Sequence, residues 1–455
     1  MGRVAEAERF GRRRQPLRVS PENDFPREAL AEEGGPPLRV LMVAHSHPMV
    51  TRGGAEIAAH RLFEALGGLA GWQTWFLGCQ RDGMREHTGS VFVQPWGGRE
   101  YLYAPEEFDW LRFANRDPRF PGAFRELLAE LRPDVVHFHH FARLGVECFQ
   151  HVRRELPGAA IVLTLHEYLA LCHHYGQMVT KGDDRLCERD DFGRCHDCFP
   201  DIDPTDFFLR KTYIERFLAE VDRFVCPSGF LAGRFAAWGL PRERIVMLEN
   251  LIAEPQAPPA KTPPGPLRIG FFGQMSRLKG IDVLFDAASL LLKRGVDDVL
   301  IDVYGDYRNQ PFEFQEAVKR RIADAGPNVR FHGPYEPAQV EALMRQVAAT
   351  VVPSIWWENS PMVIQEAFRN RRPVICSDIG GMAEKVRDGA DGWHFRAGDA
   401  VSLAARLSEL AASPERVAQM AATVRQPPKP AETVAAHVAL YRRALERQTP
   451  AETGS

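Results

Sequence analysis

Two glutamates, Glu358 and Glu366, stand eight residues apart in WWENSPMVIQEAF. Carboxylates accept hydrogen bonds from hydroxyl groups, and two of them can share one ligand if a loop and a helix hold them together. The surrounding residues predict that arrangement. The apolar run TVVPS (Thr350–Ser354) reads as a buried strand entering the loop that carries Glu358. Ser360 suits a helix cap, and Pro361 suits the first helical position, where a missing N–H costs nothing. Glu366 then lies about two turns into that helix. A helix start offers free N–H groups and a positive dipole end, a cradle for phosphate. A hydroxyl-rich phosphorylated ligand, of the nucleotide-sugar kind, fits both features.

The loop GQMSRLKG (Gly273–Gly280) follows an apolar strand and precedes a helix beginning near Ile281. In an open α/β sheet, ligands are held at such strand-to-helix loops. Lys279 supplies a point charge and Arg277 a bidentate fork. Solvated surface charge is the plain alternative, but this loop opens the same half that carries both glutamates. In the first half RGGAE (Arg52–Glu56) stands between the first strand and the first helix. Gly53 and Gly54 there let backbone approach a phosphate or sugar closely.

The elements that must position these groups alternate along the chain. Leu38–Ala44 reads as a strand and Ala55–Leu66 as a helix with Ala58, Leu62, Ala65 and Leu66 on one face. Strands follow at Asp134–Phe138, Ala160–Leu165, Arg223–Cys226 and Ile245–Leu248. Proline-rich Ala253–Pro266 reads as an extended linker. A second series starts at Leu267 and continues near Val299–Tyr304, Val329–His332, Thr350–Val352 and Val374–Cys376. Strands separated by helices imply parallel sheets. The expected class is α/β, with two Rossmann-like domains facing a cleft. The expected divisions are a flexible extension over 1–36, an N-terminal domain over 37–252, a linker over 253–266 and a C-terminal domain over 267–430. An amphipathic helix at Ala431–Leu445 lies in a final segment, 431–455.

A length of 455 residues accommodates two such domains. The net charge of −3 gives no global field for nucleic acid or an anionic membrane. The extension, Arg12–Arg14 included, lacks the apolar core of a signal peptide, and no apolar run reaches membrane-spanning length. Eight cysteines are too few for a disulfide scaffold of this length, and Cys226 and Cys376 fall in strands, so a cytoplasmic protein is expected.

The ordered set RGGAE, TLHEY (Thr164–Tyr168), GQMSRLKG and ENSPMVIQEA resembles the retaining glycosyltransferases of family 4, which have the GT-B fold. Supporting pieces are RPDVVHFHH (Arg132–His140), LEN ending at Asn250, VYGD (Val303–Asp306) and DIGGMAEKVRDGADG (Asp378–Gly392). The match covers most of residues 38–445. The resemblance implies that Glu366 binds the ribose hydroxyls of a nucleotide and Glu358 the donor sugar near its reacting carbon. Backbone from Asn359, Ser360, Pro361, Met362 and Val363 would bind sugar and diphosphate. Lys279, in the loop opened by Gly273, would bind diphosphate. His166 would face the donor sugar, and Gly53 and Gly54 the diphosphate and acceptor. His166, Glu358 and Lys279 are thus the expected catalytic set. The family usually has arginine where this chain has Gln274, and Arg277 is the candidate substitute.

The activity so implied moves a sugar from a nucleotide-diphosphate donor, a UDP-sugar foremost, to a glycan, lipid-linked or small-molecule acceptor, as in polysaccharide biosynthesis. Anomeric configuration would be retained, with a diphosphate oxygen taking the acceptor's proton and no metal required for catalysis. A lipid-linked acceptor would bring peripheral contact with the inner face of the membrane, and the last helix would pack back on the N-terminal domain. The other readings are a GT-B epimerase or phosphorylase and a catalytically silent glycan-binding protein. Both glutamates together with Lys279 and His166 argue against the silent one.

Cys172, Cys187, Cys195 and Cys198 fall within one stretch after TLHEY, the last two as C-x2-C. Four thiolates, with His173, His174 or His196 as substitutes, would make a structural zinc site. Reduced structural thiols and disulfides are the alternatives. The resemblance places this insert as a lid near the acceptor. Arg99–Arg112 (REYLYAPEEFDWLR) reads as packed loop and helix, with an acceptor surface as the second reading.

Overall fold

The computed structural model of the chain describes residues 36–51, 53–80, 89–257, 261–263 and 265–446. The extension over 1–36 falls outside them except for Pro36, as do Arg52 and the end of the C-terminal segment. The first half forms a sheet from β1 (Arg39–Val43), β2 (Gln73–Cys79), β3 (Phe92–Val93), β4 (Glu100–Tyr103), β7 (Val135–Phe138), β8 (Ala160–Thr164), β9 (Arg223–Cys226) and β10 (Ile245–Met247). A separate small hairpin pairs β5 (Phe108–Asp109) with β6 (Ala114–Asn115). The sheet order is β10-β9-β8-β7-β1-β2-β4-β3, parallel except for the edge pair β3–β4.

The central strands are apolar on both faces because both faces are covered. Leu41 and Val43 of β1 enter one core, whereas Val40 and Met42 enter another on the opposite side. The second core takes Ala59, Leu62 and Leu66 from the helix Gly54–Gly67. It also takes Val434, Val438, Leu440, Tyr441 and Ala444 from the last helix, Pro430–Glu446. That helix packs back on the N-terminal sheet, as expected. Tyr441 Oη lies 2.7 Å from His137 Nδ1, and His137 Nε2 lies 2.7 Å from Thr164 Oγ1.

The second half builds a parallel sheet from β11 (Leu267–Gln274), β12 (Val299–Asp306), β13 (Val329–Gly333), β14 (Ala349–Val352), β15 (Val374–Ser377) and β16 (Gly392–Phe395). Its order is β13-β12-β11-β14-β15-β16. In each sheet the first strand has its successor on one side and a later strand on the other. The direction of winding therefore reverses between β1 and β7 and between β11 and β14. Loops diverge at such reversals and leave a crevice at the strand C-termini.

One local expectation is corrected. The helix carrying Glu366 runs from Met362 to Arg369, with Pro361 in the cap position and no side-chain cap. Ser360 does not cap it, because its hydroxyl donates instead to Glu249 at 3.2 Å. Among the described residues, no helix is long and apolar enough to cross a membrane.

Candidate active site

The crevice of the second sheet brings Lys279 and Glu358 together. Gly280 has φ +72°, and a Cβ there would sit 1.8 Å from the Pro353 carbonyl oxygen, so only glycine lets the loops after β11 and β14 touch. Ile355 N–H donates to the Leu278 carbonyl at 2.9 Å across the same contact. Lys279 Nζ then reaches Glu358 Oε1 at 2.6 Å. The same oxygen accepts from Ser354 Oγ at 2.8 Å and Trp356 Nε1 at 2.9 Å. Three donors on one oxygen satisfy a carboxylate that is only 5% exposed. Behind this loop, Gly381 N–H donates to the Glu358 carbonyl at 2.7 Å, and a Cβ on Gly381 would overlap Asn359. Met362 and Val363 open the helix, where backbone N–H groups lack intrahelical partners.

Glu366 lies on this helix facing the other half. Burial raises its pKa, and the nearby guanidinium of Arg61, from the helix Gly54–Gly67, pulls it back down. Arg61 has a buried Nη1 without a hydrogen-bond partner. The sequence reading missed Arg61. It assigned that helix by its apolar face, and nothing local marks a charge that points at another domain.

The crevice of the first sheet is lined by histidines. His45 follows β1, His139 and His140 follow β7, and His166 follows β8. His139 Nδ1 lies 2.9 Å from His166 Nε2. His140 Nε2 faces Glu167 Oε1 at 3.1 Å, and its Nδ1 accepts from the Ala142 N–H at 2.9 Å. His45 Nε2 lies 3.2 Å from Glu56 Oε1. Burial, with His140 and His45 close by, lowers the His166 pKa to about 3. Burial likewise holds His139 and His140 well below the ordinary range. The rings of His139, His140 and His166 are therefore neutral at physiological pH.

The two halves meet through polar contacts that the sequence did not announce. Asn359 Nδ2 donates to the His166 carbonyl at 3.2 Å, and Ser228 Oγ donates to Asn359 Oδ1 at 2.6 Å. Glu384 accepts the N–H groups of Gly229 and Phe230, at 2.8 and 2.6 Å, which open the helix Gly229–Trp238. A carboxylate is favoured at such a helix start. Glu249 accepts from Ser360, from Gln365 at 3.0 Å and from Lys385. A Cβ on Gly54 would lie 4.0 Å from Met362 Sδ, so the starts of the helices Gly54–Gly67 and Met362–Arg369 approach each other.

Some expected site residues are placed elsewhere. The Arg277 side chain is 64% exposed and pairs with Asp184 of the cysteine insert at 2.5 Å. Gly273 has φ +139° with open space beside it, and Gly53 precedes the first helix. Tyr101 and Tyr103 are buried, and Trp110 stays exposed. The stretch Arg99–Arg112 contains β4 and β5 in place of the expected loop and helix, and its buried residues are three from β4, Tyr101–Tyr103.

The insert touches the second half through Asp184 and through the Cys187 carbonyl, which accepts from Trp357 Nε1 at 2.8 Å. Its four cysteines are free thiols. Burial raises Cys172 and Cys195 to about 11, and raises Cys187 as well. Among the described residues, the set of three or more His, Cys, Asp or Glu ligand atoms lying within 4.8 Å of one another is His47, His60 and Glu100. The four cysteines do not form such a set.

Protons account for the His47–His60–Glu100 geometry. Met49 N–H donates to His47 Nδ1 at 3.2 Å, so the neutral ring carries its proton on Nε2, which faces Glu100 Oε2 at 2.7 Å. His60 Nε2 reaches the same oxygen at 3.0 Å, while its Nδ1 faces Glu64 at 3.6 Å. Burial alone would lower His60, but the bonds to Glu100 and Glu64 outweigh it and raise the pKa to about 9. A charged His60 thus ties the middle of the first helix to β4.

Residues 52–253 match a family model described as Glycosyltransferase Family 4, and residues 266–413 match one described as Glycosyl transferases group 1. A D-inositol 3-phosphate glycosyltransferase of Nocardia farcinica is 30% identical over 160 residues, 34% of this chain and 35% of the relative. A protein of the same name from Streptomyces griseus is 28% identical over 201 residues, 43% of this chain and 38% of the relative. A glycogen synthase of Mycobacterium tuberculosis is 28% identical over 164 residues, 36% and 38% of the two chains. The chain thus covers little more than a third of these curated relatives. Among solved structures, Anabaena HepE in complex with UDP superposes with a TM-score of 0.59 at 16% identity, covering 90% of this chain and 99% of that one. Sucrose-phosphate synthase from Thermosynechococcus elongatus gives 0.62 at 16%, covering 90% and 100%. The fold is GT-B.

Proposed function

We propose, for a chain whose two halves match glycosyltransferase models in sequence and fold as GT-B, that it transfers a sugar from a nucleotide-diphosphate donor to a hydroxyl acceptor. The observation that carries this reading is the Lys279–Glu358 pair at the mouth of the Met362 helix, opposite His166. HepE, whose fold this chain shares, is described with UDP and with UDP-glucose, which supports a UDP-sugar as first candidate.

Cleavage of the anomeric C–O bond leaves positive charge on the sugar and negative charge on the diphosphate. The helix N-terminus and Lys279 stabilise the departing diphosphate. Lys279 pairs with Glu358, and a bound donor takes over both partners: diphosphate for Lys279, sugar hydroxyls for Glu358. Glu366 accepts from the ribose, with the Arg61 guanidinium nearby opposing the upward pull of burial on its carboxyl. His166, neutral, hydrogen-bonds the donor sugar. The acceptor hydroxyl attacks the face from which the diphosphate leaves and passes its proton to a diphosphate oxygen, so configuration is retained. This charge set needs no divalent cation. The acceptor is a glycan, a lipid-linked glycan or a small molecule that enters beside the cysteine insert.

A thermal-shift screen of UDP-, GDP- and dTDP-sugars, followed by nucleoside-diphosphate release with and without candidate acceptors, tests the reading. One donor should stabilise the protein above the rest and be consumed in the presence of acceptor. Conversion of the donor sugar without any acceptor would instead identify an epimerase. Absence of stabilisation by every donor would remove the transferase reading.

A further inference from the structure

We propose that His139 fixes which ring nitrogen of His166 carries the proton, and so sets His166 as a hydrogen-bond donor toward the bound sugar. The inference rests on the sugar-transfer reading of this cleft. β7 and β8 pair in parallel, with Phe138 beside Leu163, so the residues that follow them meet at the sheet edge. The two rings lie nearly parallel, 24° apart, with centroids separated by 5.1 Å. His139 Nδ1 is 2.9 Å from His166 Nε2.

One hydrogen bond needs one proton, and two arrangements satisfy that. If His166 donates from Nε2, neutral His139 must carry its own proton on Nε2. That atom is buried and has no partner, so an N–H would be orphaned. If His139 donates from Nδ1, its Nε2 keeps only a bare lone pair, and His166 must carry its proton on Nδ1. Orphaned buried N–H groups are rarer in folded proteins than under-used acceptors. The second arrangement therefore holds. Burial keeps both rings neutral, which leaves one proton per ring and completes the assignment.

His166 Nδ1 makes no hydrogen bond among the described residues, and the residue is only partly buried. Its N–H is left for a ligand oxygen. The His166 carbonyl is meanwhile held by Asn359, so ring and backbone are positioned from opposite sides of the cleft. His139 touches no substrate in this scheme. It is a positioning residue.

The test uses the full-length protein with its best donor and acceptor. In His139→Asn the side-chain amide stands close to the position of Nδ1 and still donates; His139→Leu removes the donor. Leu is expected to lower kcat about 10-fold or more, with the donor KM within about threefold, and Asn to stay within about threefold of wild type. Equal losses in both variants would overturn the proposal. Selective 15N labelling of histidine in the wild-type protein gives a second readout that needs no variant to fold. His166 should show a protonated Nδ1 and a bare Nε2, and the reverse pattern overturns the assignment. His166→Ala separates the two layers: if its turnover equals wild type, the reading of the cleft fails, and not the tautomer.

Discussion

Asn359 donates its side-chain amide to the backbone carbonyl of His166 across the cleft, at 3.2 Å. Its carbonyl oxygen accepts from Ser228 at 2.6 Å, so one side chain of the second half grips two loops of the first. Asn359 is also the neighbour of Glu358. Closure of the cleft and placement of the carboxylate are thus one structural event.

Ser228→Ala removes half of that grip, together with the cap that Ser228 Oγ gives the Leu231 N–H at 3.2 Å. It should raise the donor KM severalfold, in line with about 1 kcal/mol for one hydrogen bond, and enlarge the radius of gyration of the donor-free protein in X-ray scattering. Combined with Asn359→Ala, the losses should fall short of their sum, because both act on one contact. Strict additivity would separate the two residues.

The two glutamates should fail differently. Glu366→Ala is expected to weaken binding of the free nucleoside diphosphate by about 10-fold or more, read by calorimetry. Glu358→Ala should leave that affinity near wild type and cut kcat by about 100-fold. Similar diphosphate affinities in both variants would refute this division of labour.

His60 makes stability depend on pH in a definite window. Its folded pKa of about 9 lies above the ordinary histidine value of 6.5, so its contribution is complete below 6.5 and disappears as pH rises through 9. That contribution is at most ~3 kcal/mol. Thermal melts of wild type and His60→Gln between pH 6 and 10 should converge toward the alkaline end. Parallel curves across the whole range would show that His60 does not gain its proton on folding.

Leu440→Ala, in the core shared by the last helix and the first sheet, should cost about 2–5 kcal/mol. Tyr441→Phe, which loses only the contact with His137, should cost about 1 kcal/mol. Urea denaturation measures both, and a larger loss in Tyr441→Phe than in Leu440→Ala would mean that the buried polar chain outweighs the packing.

Elemental analysis of the purified protein decides among the readings of the cysteine insert. The thiols as found are free and raised by burial, which favours reduced structural cysteines, and zinc well below one per chain is the expected result. One equivalent of zinc, lost on Cys195→Ser, would show that the insert gathers around a metal.

The Lys279–Glu358 pair was legible because each partner sits at a strand end, in a loop with strong glycine or proline punctuation. So were the central strands, whose two-sided burial leaves continuous apolar runs. Ser360 misled because its hydroxyl had a distant partner in Glu249, and a distant carboxylate outcompeted the local cap. Glu249 and Glu384 stand in segments quoted for the resemblance, yet their contacts and that of Ser228 were illegible for the same reason: their partners are over a hundred residues away. β2 went unread because QTWFLGC opens polar and contains glycine, and β16 because four residues, GWHF, are too few to show a period. Arg277 had the right chemistry at the right loop, and Asp184 of the insert claimed it first.

The last helix completes the core of the first sheet, joining residues about three hundred positions apart, as His137 and Tyr441 show. During synthesis the N-terminal half emerges first and the helix Gly54–Gly67 covers Val40 and Met42 early, yet the part of that face around Val162 lacks its full cover until residues 434–444 have left the ribosome. The half that is made first is finished last. Until then that part of the flank is open to chaperones or to other nascent chains.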